Sequence, residues 1–239
     1  MNIALIFAGG TGQRMNTKTM PKQFLELHGK PIIIYTLEYF EKHQDIDEIV
    51  VVCLEGWIEY LNKLLEKFFI SKVKTIVPGG STGQESIKNG VYKINELYSK
   101  IDNTIVLVHD GVRPLIDKEI ITKNIQCVKD NGSAITVAPA IETIITKKEE
   151  KVASILERSI CQMARAPQSF YLKDLYKAHV EATRKGINTY IDSACLMKDY
   201  GIELYTIEGG SENIKITTPS DFYIFRAIID ARENAQIFG

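Results

Sequence analysis

Hydrophobic positions in this chain fall into two alternating kinds of run. Short, nearly continuous apolar stretches at Ile3–Phe7, Ile49–Cys53, Lys74–Val77, Thr104–Val108 and Ala134–Ala138 have the length of strands covered on both faces. Between them, apolar residues recur at helical spacing. They do so over Pro31–Lys42, with Pro31 in the first turn, and at Trp57, Tyr60, Leu61, Leu64, Leu65 and Phe68. The same spacing marks Glu85–Lys100 and Lys118–Lys129. Strand then helix, repeated, predicts an α/β fold: a doubly wound, mainly parallel, Rossmann-like sheet in a single domain over residues 1–239.

The pattern breaks between Glu142 and Ile160. Two alternating runs there flank a charged centre, Lys147–Lys151, which predicts a β-hairpin arm projecting from the body. A surface hairpin without a special role is the alternative. Helical patterns return at Lys173–Arg184, Ser193–Asp199 and Pro219–Asn234, with a last strand at Leu204–Ile207.

Charge and composition narrow the classes. Twenty-nine basic and 30 acidic residues give a net charge of −1, so no global pull toward nucleic acid or a membrane surface is expected. Any polyanion site must be local. No run approaches the ~18 apolar residues of a spanning helix. The opening MNIALIFAGGTG lacks the basic and long apolar regions of a signal peptide. Cys53, Cys127, Cys161 and Cys195 show no zinc or redox spacing, which suits free thiols and a cytoplasmic setting.

The candidate chemistry sits mostly just after predicted strands, where open α/β sheets bind ligands. The first loop, Ala8-Gly9-Gly10-Thr11-Gly12-Gln13-Arg14-Met15, lets the backbone approach phosphates. It is neither a G-x-G-x-x-G, which needs glycine where Met15 stands, nor a P-loop, which needs G-K-[ST]. With Arg14 and, in Pro21-Lys22-Gln23-Phe24, Lys22, the loop suits a nucleoside triphosphate. A plain glycine turn is the alternative. The second loop runs from Pro78 through Gly79, Gly80, Ser81 and Gly83 to Ser86, whose hydroxyl is a candidate for a base or ribose, or for capping a helix. The third, His109-Asp110-Gly111-Val112-Arg113-Pro114, offers Asp110 as a magnesium ligand beside phosphates, or as half of an Asp–Arg pair. In Asn213-Ile214-Lys215-Ile216-Thr217-Thr218-Pro219, Lys215 alternates with apolar neighbours and so faces away from them, toward a site or toward solvent.

Taken in order, AGGTGQRM, PKQF, HDGVRP, APQSF and NIKITTP resemble the cytidylyltransferase family, which holds ribitol-5-phosphate and 2-C-methyl-D-erythritol 4-phosphate cytidylyltransferases. The resemblance runs from Ile3 to about Arg226 and is closer to the ribitol-phosphate group, which makes CDP-ribitol for wall or capsule polymers. It implies a CTP site built from Ala8, Gly9, Gly10, Gly12, Arg14 and Lys22, with Gly80, Ser81 and Ser86 at the base and ribose. It implies Mg2+ on Asp110, catalytic roles for Arg14, Lys22 and Lys215, and an alditol phosphate acceptor bound by Arg113, Thr143 and Arg158. It further implies a homodimer whose arms cross, so that Thr143 and Arg158 serve the partner's site.

Three positions depart from the family pattern. Gly83 stands where arginine is usual, Ala166 replaces the threonine of T-P-Q, and Glu142 replaces an aspartate. The other readings are the methylerythritol phosphate enzyme and a nucleotide-binding regulator without catalysis. Retention of Arg14, Lys22, Asp110 and Lys215 speaks against the regulator.

Overall fold

The computed structural model describes residues 1–10 and 20–238, the side chains of 236–238 excepted. In chain order the elements are β1 (Asn2–Ala8), β2 (Glu26–Leu27), β3 (Lys30–Pro31), α1 (Ile32–Glu41), β4 (Glu48–Cys53), α2 (Ile58–Lys67), β5 (Val73–Pro78), α3 (Gly83–Tyr98) and β6 (Ile105–Asp110). There follow α4 (Lys118–Asn131), β7 (Ser133–Pro139), β8 (Ile145–Lys148), β9 (Lys151–Ile155), β10 (Gln162–Tyr171), α5 (Leu172–Arg184), α6 (Ser193–Asp199), β11 (Thr206–Glu208) and α7 (Pro219–Phe238).

Seven strands form one sheet in the order β11-β7-β10-β6-β1-β4-β5. Its pairings are parallel except where β10 lies antiparallel between β7 and β6. β10 has no counterpart in the apolar pattern. Its ladder is interrupted between Ala164 and Gln168, where Pro167 can donate no hydrogen bond, and its first residues are exposed. The short β2–β3 hairpin was equally invisible to periodicity, being two residues a side. Pro31 caps α1 rather than entering its first turn, and β6 runs two residues further than expected, so that His109 and Asp110 end the strand.

Alternation along β1 explains why its apolar run is unbroken. Ala4, Ile6 and Ala8 pack into one cluster with Ile33, Leu37 and Phe40 of α1 and Leu61 and Leu64 of α2. Ile3 and Leu5 face a second cluster with Ile87, Val91 and Ile94 of α3 and Leu175 of α5. Each successive side chain is thus buried on one face or the other. The arm, β8 with β9, stands out of this body, and every residue from Ile145 to Ile155 is exposed. Among the described residues no helix is long and apolar enough to cross a membrane.

Register places the site. Ala8 pairs with Cys53, Cys53 with Pro78, and Phe7 with Asp110, so four parallel strands end side by side. The loops that leave them must share one edge. Holding that edge requires α3 to lie close to the sheet, and Gly90 is what allows it. Alanine would normally improve an exposed helix interior by roughly 1 kcal/mol. Here an added methyl would press on Leu5 Cδ1 and stand 2.9 Å from Val52 Cγ2. Overpacking is the larger effect, and Gly90→Ala is expected to lose about 1–3 kcal/mol in denaturant titration at an unchanged m-value. Equal or greater stability would contradict the close α3–sheet contact.

Candidate active site

Two glycine loops meet over the ends of β1 and β5. A Cβ on Gly9 would lie 2.8 Å from Ser86 Oγ, and one on Gly79 would lie 3.2 Å from Gly9 Cα. Side chains at these positions would force the loops apart, so the contact itself demands glycine. Ser86 Oγ, buried in α3, accepts a hydrogen bond from Gly80 N at 3.0 Å and ties the second loop to the helix. It is not the helix cap. Thr82 fills that position, its Oγ1 accepting from Glu85 N at 3.0 Å, while the Glu85 carboxylate takes Ser81 N at 2.8 Å. The positive end of α3 therefore opens on the cleft, as suits an anion.

The cleft holds about 630 Å3. Of the residues assigned to the nucleotide, Ala8, Gly9, Gly10, Gly80, Ser81 and Ser86 line it, and so do Lys22, Asp110 and Lys215. Gly12 and Arg14 lie outside the described residues. Lys22 is buried in a short 3-10 turn, Lys22–Phe24, and its Nζ donates to Ile216 O at 2.9 Å. The next residue, Gln23, lines the cleft and donates from Nε2 to Ala8 O at 2.7 Å, pinning the first loop. Sequence reasoning passed over Gln23 although it lay inside the PKQF motif.

Asp110 is the electrostatic centre. Arg113 Nε donates to Oδ2 at 2.7 Å, and Lys215 Nζ forms an ion pair with Oδ1 at 2.6 Å. Burial works to raise the Asp110 carboxyl, but Lys215 and Arg113 outweigh it and hold the group at about 2. The aspartate is thus ionised at any physiological pH. Asp110 forms the Asp–Arg pair with Arg113 and also lines the cleft. Lys215 is not a solvated surface lysine. The backbone bond from Ile216 N to Val112 O, 2.9 Å, lays its segment against the Asp110 loop while Ile216 is buried beneath.

His109 is buried and lines neither the cleft nor the smaller cavity beside it. Burial pushes its imidazole down to about 4, and Nε2 lies 3.2 Å from Arg113 O, so that nitrogen carries the hydrogen and donates. The ring packs on Phe40, with centroids 5.2 Å apart.

A second cavity, about 260 Å3, adjoins the first and shares Phe7, Gly83, Asp110 and Lys215 with it. Arg113 lines this second cavity. Gly83, where the family pattern has arginine, has open space around a would-be Cβ. Thr143 and Arg158 line neither cavity. Both are exposed on the arm, where Arg158 Nη1 donates to Ile141 O at 3.2 Å. Within one chain the arm residues and the cleft are not brought together.

Cations gathered at the carboxyl edge of an α/β sheet, under glycine loops, fit a nucleotidyltransferase. A family model described as IspD, 2-C-methyl-D-erythritol 4-phosphate cytidylyltransferase, matches residues 2–231, and the chain belongs to that family. Over 240 residues it is 57% identical to the ribitol-5-phosphate cytidylyltransferase of Vibrio parahaemolyticus serotype O3:K6, covering 100% of both chains. It is 52% identical to the ribitol-5-phosphate cytidylyltransferase of Streptococcus agalactiae serotype V, covering 100% of this chain and 99% of the relative. The 2-C-methyl-D-erythritol 4-phosphate cytidylyltransferase of Clostridium botulinum (strain Langeland) is 36% identical over 230 residues, 96% of this chain and 97% of that one. Among solved structures, 4-diphosphocytidyl-2C-methyl-D-erythritol synthase from Anaerococcus prevotii superposes with a TM-score of 0.81 at 24% identity, covering 96% of each, which establishes the shared fold.

Proposed function

We propose that this chain joins CTP to D-ribitol 5-phosphate, giving CDP-ribitol and pyrophosphate for wall or capsule polymer synthesis in the cytoplasm. The observation that carries the reaction type is the junction of two cavities at Asp110 and Lys215. A triphosphate fits the larger, glycine-roofed cleft, and a small phosphorylated acceptor fits the smaller one. The acceptor rests on full-length likeness to relatives named for ribitol 5-phosphate, which exceeds the likeness to the methylerythritol phosphate relative.

The reaction needs no general base. A phosphate monoester, with its second ionisation near 6, is already a dianionic nucleophile at neutral pH. One of its oxygens attacks the α-phosphorus of CTP. The new P–O bond forms as the α–β bridge breaks, and the electron pair leaves with pyrophosphate. Positioning and charge stabilisation are the protein's contribution. Lys22 and Lys215 face the cleft and meet the growing negative charge, with Arg14 expected beside them. A regulator without catalysis would have no use for Lys215 held at the join of two cavities.

Magnesium fits the donor set. Asp110 supplies one carboxylate on the nucleotide side, and Mg2+ usually takes one or two carboxylates together with substrate phosphates. Asp110 would hold the ion, whose chemistry there is neutralisation of the triphosphate. Because both carboxylate oxygens already face cations, metal without nucleotide should bind weakly.

The arm carries the second half of the proposal, a homodimer. Ile145, Val152 and Ile155 are 51%, 58% and 69% exposed, and Ile141 and Ile160 at its base are 75% and 78% exposed. An isolated two-stranded hairpin with such an apolar surface is marginal unless it packs on something. Crossing arms would cover it and bring Thr143 and Arg158 to the partner's acceptor cavity.

Pyrophosphate release with CTP and a panel of phosphorylated acceptors tests the reaction. D-ribitol 5-phosphate is expected to exceed 2-C-methyl-D-erythritol 4-phosphate by at least ~10-fold in kcat/KM, a difference worth about 1.4 kcal/mol. Equal or reversed values would overturn the acceptor. The arm is tested by mixing Arg158→Ala with Lys22→Ala. A heterodimer holds one doubly defective site and one intact site, so activity should partly return on exchange. No recovery despite demonstrated exchange, or a monomer at working concentration, would overturn the crossed arms.

A further inference from the structure

Arg165 lies on β10 at the break in its ladder, between Ala164 and Gln168, just beyond the point where Gln168 pairs with Val108 of β6. That break carries its side chain to the carboxyl edge of the sheet, and the residue lines the smaller cavity together with Arg113 and Lys215. Its Nη1 donates to Asn213 O at 2.6 Å, the same carbonyl that receives Arg113 Nη1 at 2.9 Å. Two guanidinium groups thus share one neutral acceptor.

The charges do not balance. Asp110 is occupied by Arg113 and Lys215. Asp192, the other acid lining the cavity, caps α6 by accepting from Cys195 N at 2.9 Å and accepts from Gln168 Nε2 at 2.9 Å. Arg165 makes no ion pair with any described residue, and its buried Nε makes no hydrogen bond. Residues 11–19 contain no acidic side chain that could serve it. Burial and the neighbouring Arg113 both lower the Arg165 guanidinium, the direction expected of a cation short of an anion. Ser193, whose Oγ is buried without a hydrogen-bond partner, lines the same cavity. Cation and hydroxyl together match a phosphorylated polyol.

We propose that Arg165 is a further substrate-binding residue that seats the acceptor's phosphate from within its own chain, with Ser193 offering a hydrogen bond to the polyol. The seat rests on the acceptor reading given above. Ala166, in place of a threonine, lines the same cavity and offers it only a methyl. The second terminal nitrogen remains for a phosphate after Nη1 has bound Asn213 O, and the planar guanidinium fixes its direction in a way that lysine cannot reproduce.

The test is steady-state kinetics of wild type, Arg165→Gln and Arg165→Lys with CTP and D-ribitol 5-phosphate. Hydrogen bonds to a charged group contribute about 1.5–3 kcal/mol, so Arg165→Gln is expected to raise the acceptor KM at least ~10-fold. Its KM for CTP and its melting temperature should stay near wild type, with partial rescue in Arg165→Lys. An unmoved acceptor KM, or a CTP KM that rises as much, overturns the seat and leaves the acceptor reading standing. A wild-type enzyme inert toward D-ribitol 5-phosphate overturns that reading instead. The seat is then decided by calorimetry of inorganic phosphate, where weaker binding to Arg165→Gln supports it and equal affinity overturns it.

Discussion

The Asp110 carboxylate receives Arg113 at 2.7 Å and Lys215 at 2.6 Å while almost fully withdrawn from water. A buried carboxylate left alone would be forced to take up a proton, and two unanswered cations would repel one another. Together they form a cluster that stays ionised and fixes three parts of the chain against each other: the end of β6, the turn that follows it, and the segment before α7. Removing Asp110 would leave two cations without their shared anion, whereas without the half-exposed Lys215 the carboxylate still keeps Arg113. The geometry of both cavities depends on this cluster because it forms their common wall.

The sheet exists, for the purposes of the site, to deliver that wall. Parallel register brings Ala8, Cys53, Pro78 and Asp110 to one edge. Buried strands on either face leave no freedom to slip, since a shift of one residue would exchange the two core clusters. Glycine contact between the loops then roofs the nucleotide cleft, and Gln23 and Ser86 hold the roof by hydrogen bonds to backbone. Local propensity, core packing and loop chemistry thus converge on one ligand-binding edge, with backbone groups and cations facing it.

Much of this is legible in the sequence. Runs such as Ile3–Phe7 and Ile49–Cys53 are long enough and apolar enough to be read as buried strands, and the Ser193–Asp199 helix appears with the same bounds. The hairpin arm was visible because its alternation differs from the runs around it. β10 was not, because Ala-Pro interrupts its alternation and its first three residues face solvent, and Arg165 disappeared with it. The Asp110–Lys215 pair could not be derived from pattern, since its members are far apart in the chain and meet only when β6 and the last loop are folded. Ser86 shows the limit of local chemistry. A serine near a helix start reads as a cap, yet Thr82 caps the helix and Ser86 ties down the loop.

The central claim is that Lys215, held on Asp110 at the join of the two cavities, stabilises charge as the α-phosphorus is displaced. Single-turnover measurement of Lys215→Ala at saturating CTP and acceptor addresses it most directly, with the melting temperature as the control for folding. The account predicts a rate lower by at least ~10²-fold in a protein that melts within a few degrees of wild type. A folded variant with a rate within a few-fold of wild type would contradict it.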